Sequence, residues 1–377
     1  MSALKTIVAI ALGTAVWIPS LHRFYTPDAR EREHVARSLA TRAMNERDYE
    51  DGAIRAMNPE WEYMARTFTV LGLANRAIDH EDERDASLAA IDRTLDRTKD
   101  QAREDQYAFL LPYARASTFV DPDARSVFVD GELLMMIAAR DLVSPREDLD
   151  DDARGLEASI DRAMRRSPTL SAESYPNEAW TFCNTTALAA MAMFDRARSS
   201  PESAEHRALA HDWVLRAKAV LLDEKTGLLV SSFTRDGRVK DGPEGSTIFM
   251  SATNLMFVDE AFARDQWARA RHELGFTVFG FGLAREWPAS WSRKRADIDS
   301  GPIVPLLDAS AGSSGFAVLG ASAFGDDAYR DALIASLDFA ALPHDGDRGL
   351  RYLASNRVGD AVLFDALTFG PLLRRMQ

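Results

Sequence analysis

The chain has 377 residues, 46% of them apolar and 27% charged, with one cysteine and a formal charge of −13. That length suits one large domain or two medium ones. An excess of 58 acidic over 45 basic side chains repels phosphate backbones, which excludes nucleic acid as an expected partner. A single cysteine excludes an internal disulfide and every multi-cysteine zinc or iron–sulfur motif.

Lys5 precedes an uncharged apolar run, Thr6 to Leu21. The run is short for a bilayer span and long for the core of a signal peptide. Residues 1–23 are therefore expected to be a signal peptide or an N-terminal membrane anchor, with the rest exported, periplasmic or membrane-tethered. The alternative is a buried first helix. Lys5 on one side and Arg23, Arg30 and Arg32 on the other leave the orientation weakly specified.

Beyond Phe24 the apolar spacing is helical nearly everywhere. Six segments rich in Ala, Leu, Met and Phe predict buried helices: Pro59–Ile78, Phe128–Val143, Asn177–Arg196, Gly245–Phe262, Ala311–Phe324 and Gly359–Leu373. Six charged, one-sided segments alternate with them: Arg30–Arg47, Glu81–Gln101, Leu149–Arg165, Ala204–Leu222, Arg264–Leu274 and Asp326–Ala340. A helix apolar all round belongs inside, and one with a single apolar stripe belongs outside. Strict alternation at this period predicts an all-α fold, an (α/α)6 barrel formed as a single domain over residues 24–377. Leu228–Phe233, followed by Arg235-Asp236-Gly237, reads as a short β-hairpin on one rim. Trp287–Pro305 holds three prolines and cannot be helical throughout.

Familiar catalytic motifs are missing. No two of the seven histidines have i,i+4 spacing, so no histidine-based metal site is expected. Gly280-Phe-Gly282 lacks the third glycine of a dinucleotide loop, and Ala311-Gly-Ser-Ser-Gly315 has the wrong spacing for a nucleophile elbow.

What remains is a few polar groups on apolar helices. Pro176 and Asn177 read as a helix start, followed on one stripe by Trp180, Cys183, Asn184 and Ala187. A thiol at a helix N-terminus beside amides has its pKa lowered, whereas most free cysteines are simply core. Glu132 shares a stripe with Phe128, Met135 and Met136, and a desolvated carboxyl there serves as general acid. It would equally favour the positive helix end. Asp297 and Asp299 sit beside a Gly-Pro corner, either reaching a pocket or holding loop amides. Asp365, alone in the last apolar helix, needs a partner.

At these residues the chain resembles the linalool dehydratase-isomerase family of (α/α)6 proteins. The similar segments are 128–136, Pro176–Asn184, Leu222–Gly227, Asp259–Phe262 and Gly359–Asp365, in common order. The resemblance implies an exported enzyme that removes or adds water at a tertiary allylic alcohol and shifts the hydroxyl. It also implies no metal or organic cofactor, and a ring assembly. It places Cys183 at the second family cysteine, Ser174 at the first, Glu132 at the family histidine and Ser246 at a pocket tyrosine. Asp48 and Tyr49 are weak matches to an N-terminal aspartate–tyrosine pair.

The expected function is a cofactor-independent lyase or isomerase acting on a small apolar alcohol. Glu132 would protonate the leaving hydroxyl, and Cys183 or Asp299 would take a proton from carbon. Phe128, Tyr175 and Trp180 would form the wall, with Ser174, Asn177, Asn184, Ser246 and Asp297 binding substrate. One alternative is a carbohydrate-active enzyme using Glu132 and Asp299, with Trp287 and Trp291 stacked on sugar rings. The other is a catalytically silent binding protein.

Overall fold

The computed structural model describes residues 3–45, 54, 56, 58–104, 112–123, 125–292, 303–346 and 349–377. Asp48, Tyr49, Asp297 and Asp299 lie outside the described residues. An apolar helix α1 (Ala3–Ser20) comes first, and none of its residues is buried. This corrects the alternative of a buried first helix.

Outer and inner helices then alternate in six pairs. The pairs are α2 (Ala29–Asn45) with α3 (Pro59–Asp79), α4 (Arg84–Glu104) with α5 (Val127–Val143), and α6 (Asp150–Arg165) with α7 (Thr181–Arg198). They continue as α8 (Ser203–Val220) with α9 (Gly245–Leu255), α10 (Glu260–Glu273) with α11 (Ala311–Phe324), and α12 (Asp327–Ala341) with α13 (Arg357–Thr368), followed by the short α14 (Pro371–Met376). Each inner helix packs on the next, and α13 packs back on α3, which closes the ring. The expected (α/α)6 barrel is the observed fold. Every residue of α5 is buried, whereas α6 buries one stripe and exposes Asp151 and Asp152, as the two hydrophobic patterns require.

Consecutive helices that touch through short connections run antiparallel, so the six inner helices run parallel to one another. Their N-termini meet at one rim. The β structure gathers there too, because it precedes inner helices. Strand β1 (Ala179–Trp180) leads into α7, and β2 (Ser232–Phe233) with β3 (Val239–Asp241) leads into α9. The hairpins β4 (Gly275–Val278) with β5 (Phe281–Ala284) and β6 (Ile303–Val304) with β7 (Ala309–Ser310) precede α11. A last hairpin, β8 (Pro343–Gly346) with β9 (Gly349–Tyr352), precedes α13. The hairpin expected after Leu228 forms as β2–β3, with Gly237 at φ 91° in its turn, and joins β1 in a three-stranded sheet.

Three helix boundaries differ from expectation. Pro176 and Asn177 do not open α7, because Tyr175 and Glu178 bridge across them in a turn with Asn177 at φ 54°. Helix α9 stops at Leu255, and Asp259 caps the outer α10 by accepting from the Phe262 amide at 2.9 Å. Thus Asp259–Phe262 begins an outer helix. Gly370, at φ 131°, separates α13 from α14.

The closing seam is tight. A Cβ on Gly72 of α3 would lie 2.5 Å from the Phe364 ring of α13. Gly72→Leu should therefore lower stability by about 1–3 kcal/mol, read as a lower urea midpoint. Phe364→Leu in the same chain should restore part of the loss. Equal stability of Gly72→Leu and the parent would show that the seam is loose.

Candidate functional site

The N-terminal ends of α3, α5 and α7 bring the chemistry together. Asn58 caps α3 by accepting from the Glu60 and Trp61 amides at 3.0 and 3.1 Å, with Pro59 at the first helical position. Ser126 caps α5 and also donates to the Ser174 carbonyl at 2.7 Å, which ties the loop before α7 to α5. That loop is shaped by Glu173, whose carboxylate accepts from the amides of Val120, Asp121 and Asn177 at 3.0, 3.0 and 2.6 Å.

Glu132 is buried, and neither carboxyl oxygen has a hydrogen-bond partner among the described residues. Desolvation raises its pKa from 4.5 to about 7, with the Thr67 hydroxyl pulling weakly the other way. It is thus about half protonated near neutrality. Its charge also acts on Tyr63 of α3 and on Cys183 of α7. Asp130, in the first turn of α5 just before it, is held by Arg125 at 3.0 Å, and burial raises its pKa to about 6.

Cys183 is buried, and burial pushes its thiol well above the ordinary value, although the Ser174 hydroxyl works against the shift. Charges on Glu132 and Glu60 push it further. This corrects the expectation of a lowered pKa: two carboxyls and desolvation outweigh the helix N-terminus. Cys183 stays a thiol at neutral pH.

Glu60 is the residue that sequence reasoning missed. Its Oε2 accepts from the Tyr175 hydroxyl at 3.0 Å, and its charge reaches Cys183. In the sequence it is an acid in a first helical turn, which reads as a dipole partner. Only the ring closure shows that it faces Tyr175.

Aromatic side chains cluster at the same ends of α3, α5 and α7. Phe128 lies 5.7 Å from Tyr63 and 6.3 Å from Phe182, and Trp180 lies 6.0 Å from Phe182 between ring centres. Trp180 donates to Glu178 at 2.5 Å, and Glu178 also pairs with Lys240.

Other expected site residues have different positions. Asn184 accepts from the Ala172 amide at 2.7 Å and donates to the carbonyls of Ala172 and Trp180, so it pins backbone rather than binding substrate. Ser246 donates to Glu286 at 2.7 Å, and Ser313 donates to the other oxygen of Glu286 at 2.6 Å. These two serines belong to the mouths of α9 and α11. Asn177 lies exposed in its turn. Trp287 is buried and stacks on Trp291 at 5.9 Å, so it is closed to a sugar ring. Asp365 sits deep in α13 with Asn75 3.4 Å away, and burial raises its pKa to about 8. Away from the mouth, His206 Nδ1 lies 3.1 Å from Asp195 and 3.3 Å from Glu157, a buried group joining α6, α7 and α8. Its three members come from distant segments, which spacing rules do not detect.

A family model described as linalool dehydratase/isomerase matches residues 130–358, more than half of the chain. Comparison with curated proteins gives no match. Among solved structures, the chain is similar to the unsaturated glucuronyl hydrolase of Bacillus sp. GL1, with 13% identity and a TM-score of 0.52 over 90% of this chain and 96% of that one. It is also similar to a family 105 glycoside hydrolase of C. acetobutylicum ATCC 824, with 12% identity and a TM-score of 0.53 over 89% and 99%. The α-1,6-mannanase GH76A of Salegentibacter sp. HEL1_6, bound to α-1,6-mannotetrose, has 12% identity and a TM-score of 0.53 over 91% and 99%. At such identities the likeness shows the fold alone.

The buried acid has a consequence for stability. A carboxyl whose folded pKa lies above its unfolded value stabilises the fold below 4.5 and loses that contribution as pH rises through about 7. Above pH 7, Glu132→Gln should be more stable than the parent by up to about 3 kcal/mol. Urea midpoints across the range check this. Parallel curves for parent and variant would mean that Glu132 is not desolvated.

Proposed function

The chain belongs to the linalool dehydratase/isomerase family, and on that premise we propose that it is a cofactor-independent hydro-lyase or isomerase acting on a small apolar alcohol. The observation that carries this reading is Glu132: buried, without a hydrogen-bond partner among the described residues, and held partly protonated near neutrality within an aromatic wall. A neutral carboxyl donates a proton to a leaving hydroxyl, and water departs. The cation left on carbon is stabilised by the faces of Phe128, Phe182 and Trp180. Glu60, oriented by Tyr175, takes a proton from the neighbouring carbon to give an alkene. Returning that proton through water to Glu132 closes the cycle, and the reverse sequence adds water. Cys183, kept neutral and within reach of the charges of both acids, is not the base.

The departures from the family set support a change of substrate. A carboxyl in place of imidazole offers a proton over a different pH range, and Ser174 in place of a thiol alters the shape beside Cys183. The carbohydrate reading draws on what the structural relatives act on, and its proposed Trp287 platform is buried.

Turnover of a panel of small tertiary, allylic and saturated alcohols, with glycans as the other arm, tests the proposal. Glu132→Gln should lower kcat by about 10²–10⁴-fold and remove the fall in activity above pH 7 from whatever remains. Glu60→Gln should lose a comparable factor, while Cys183→Ser should change kcat less than roughly tenfold. Full activity in Glu132→Gln, or turnover of glycans alone, would overturn it.

A further inference from the structure

The rim that carries the site also carries the largest exposed side chains of the hairpins. Phe279, in the β4–β5 turn at φ 49°, is 56% exposed, and Leu342, at the end of α12, is 57% exposed. Phe339, one turn before Leu342, and Leu306 and Leu307 in the β6–β7 turn are exposed as well. Water-exposed apolar tips in one neighbourhood are costly unless something covers them.

The occupant is indicated by α1. Ala3–Phe24 is long and apolar enough to cross a membrane and is wholly unburied. Its C-terminal end does not hang free of the barrel. His22 lies against Gly280, where an added Cβ would come 2.3 Å from its ring, and its ring meets Phe281 at 6.2 Å. Tyr25 meets Phe281 at 6.4 Å and Phe339 at 5.3 Å. The apolar helix therefore leaves the barrel beside the Phe279 turn. At that same level Trp17 and Phe24, 61% and 72% exposed, stack at 5.9 Å. Stacked aromatics at the end of an apolar helix mark the level of a bilayer interface. Strand β8, which precedes α13 at the same rim, is by contrast polar and exposed at His344 and Asp345.

We infer that the β4–β5 turn and the end of α12 dock on the lipid bilayer, with Phe279 and Leu342 in the interface and the barrel mouth turned toward the lipid. An apolar alcohol, which partitions into lipid, would then reach Glu132 without crossing bulk water. This last step rests on the proposed function, whereas the docking itself rests on geometry alone.

The test uses the full chain in phosphatidylcholine vesicles with an environment-sensitive fluorophore on Phe279→Cys, Leu342→Cys or Glu202→Cys. The native Cys183 is buried and escapes labelling. Glu202 is exposed in the α7–α8 turn at the opposite rim. Probes at 279 and 342 should shift to the blue and be quenched by lipid-borne nitroxide, while the probe at 202 stays water-exposed. Three equally water-exposed probes would overturn the inference. So would blue-shifted probes in dilute detergent whose quenching is insensitive to the nitroxide lipid, accompanied by a sedimenting dimer, since a second copy would then cover the patch. No reading here depends on turnover, so failure of docking and failure of the alcohol chemistry are told apart.

Discussion

Everything at the mouth depends on the inner helices packing one on the next around a ring that closes at the seam between α3 and α13. With Gly72 under the Phe364 ring, the first and last inner helices meet at backbone distance, and the six inner helices are held parallel. Residues far apart in the chain then share one rim: Glu60 from α3, Glu132 from α5, Tyr175 from the approach to α7 and Cys183 from α7 itself. Six helix N-termini also converge there, and their partial positive charges favour anions. Yet burial still raises the pKa of Glu132. A helix end contributes at most about 2 kcal/mol, whereas full burial of a carboxyl shifts it by up to about 3–5 units. Desolvation wins, and it supplies a proton donor in a site without an imidazole.

The same imbalance decides the role of Cys183. A thiolate would need a cation or open solvent, and this one faces two acids and an aromatic wall. On the proposed function, chemistry at the mouth would be divided between carboxyls, one giving a proton and one oriented by a phenol. The arrangement holds stability in reserve for function, since a buried acid without a partner opposes folding once it ionises. Asp365 carries a similar cost in α13, but its Asn75 neighbour also accepts from the Leu372 amide at 2.9 Å and so anchors the start of α14.

The barrel was legible because inner and outer helices obey different hydrophobic patterns, and twelve such segments leave little choice of fold. Glu132 was legible for a related reason: a charge on an all-apolar stripe is conspicuous. Glu60 was not, since an acid in a first turn is ordinary until the ring sets Tyr175 against it. Asn184 misled in the opposite sense. An amide beside a cysteine suggests a ligand, but here it satisfies buried backbone groups of Ala172 and Trp180, a need that appears only when the loop is folded. The turn at Tyr175–Glu178 escaped because Pro-Asn fits a helix start as well as a turn, and hydrogen bonds to Glu173 decide between them.

A formal charge of −13 sets limits on how this molecule meets a surface. Acidic headgroups repel it, but screening confines that repulsion to roughly 8–10 Å at ordinary salt. Apolar contact acts at shorter range and does not weaken with salt: burying a side chain the size of Phe279 or Leu342 contributes about 1.5–3 kcal/mol. On the proposed docking, a few tips of this kind, beside a helix end bearing Trp17 and Phe24, would hold one rim at an interface while the charged outer helices stay in water. Exposed polar groups of β8 would limit how far such a rim could sink. The rim would then be held by its apolar turns, and its tilt would follow from where those turns give way to His344 and Asp345.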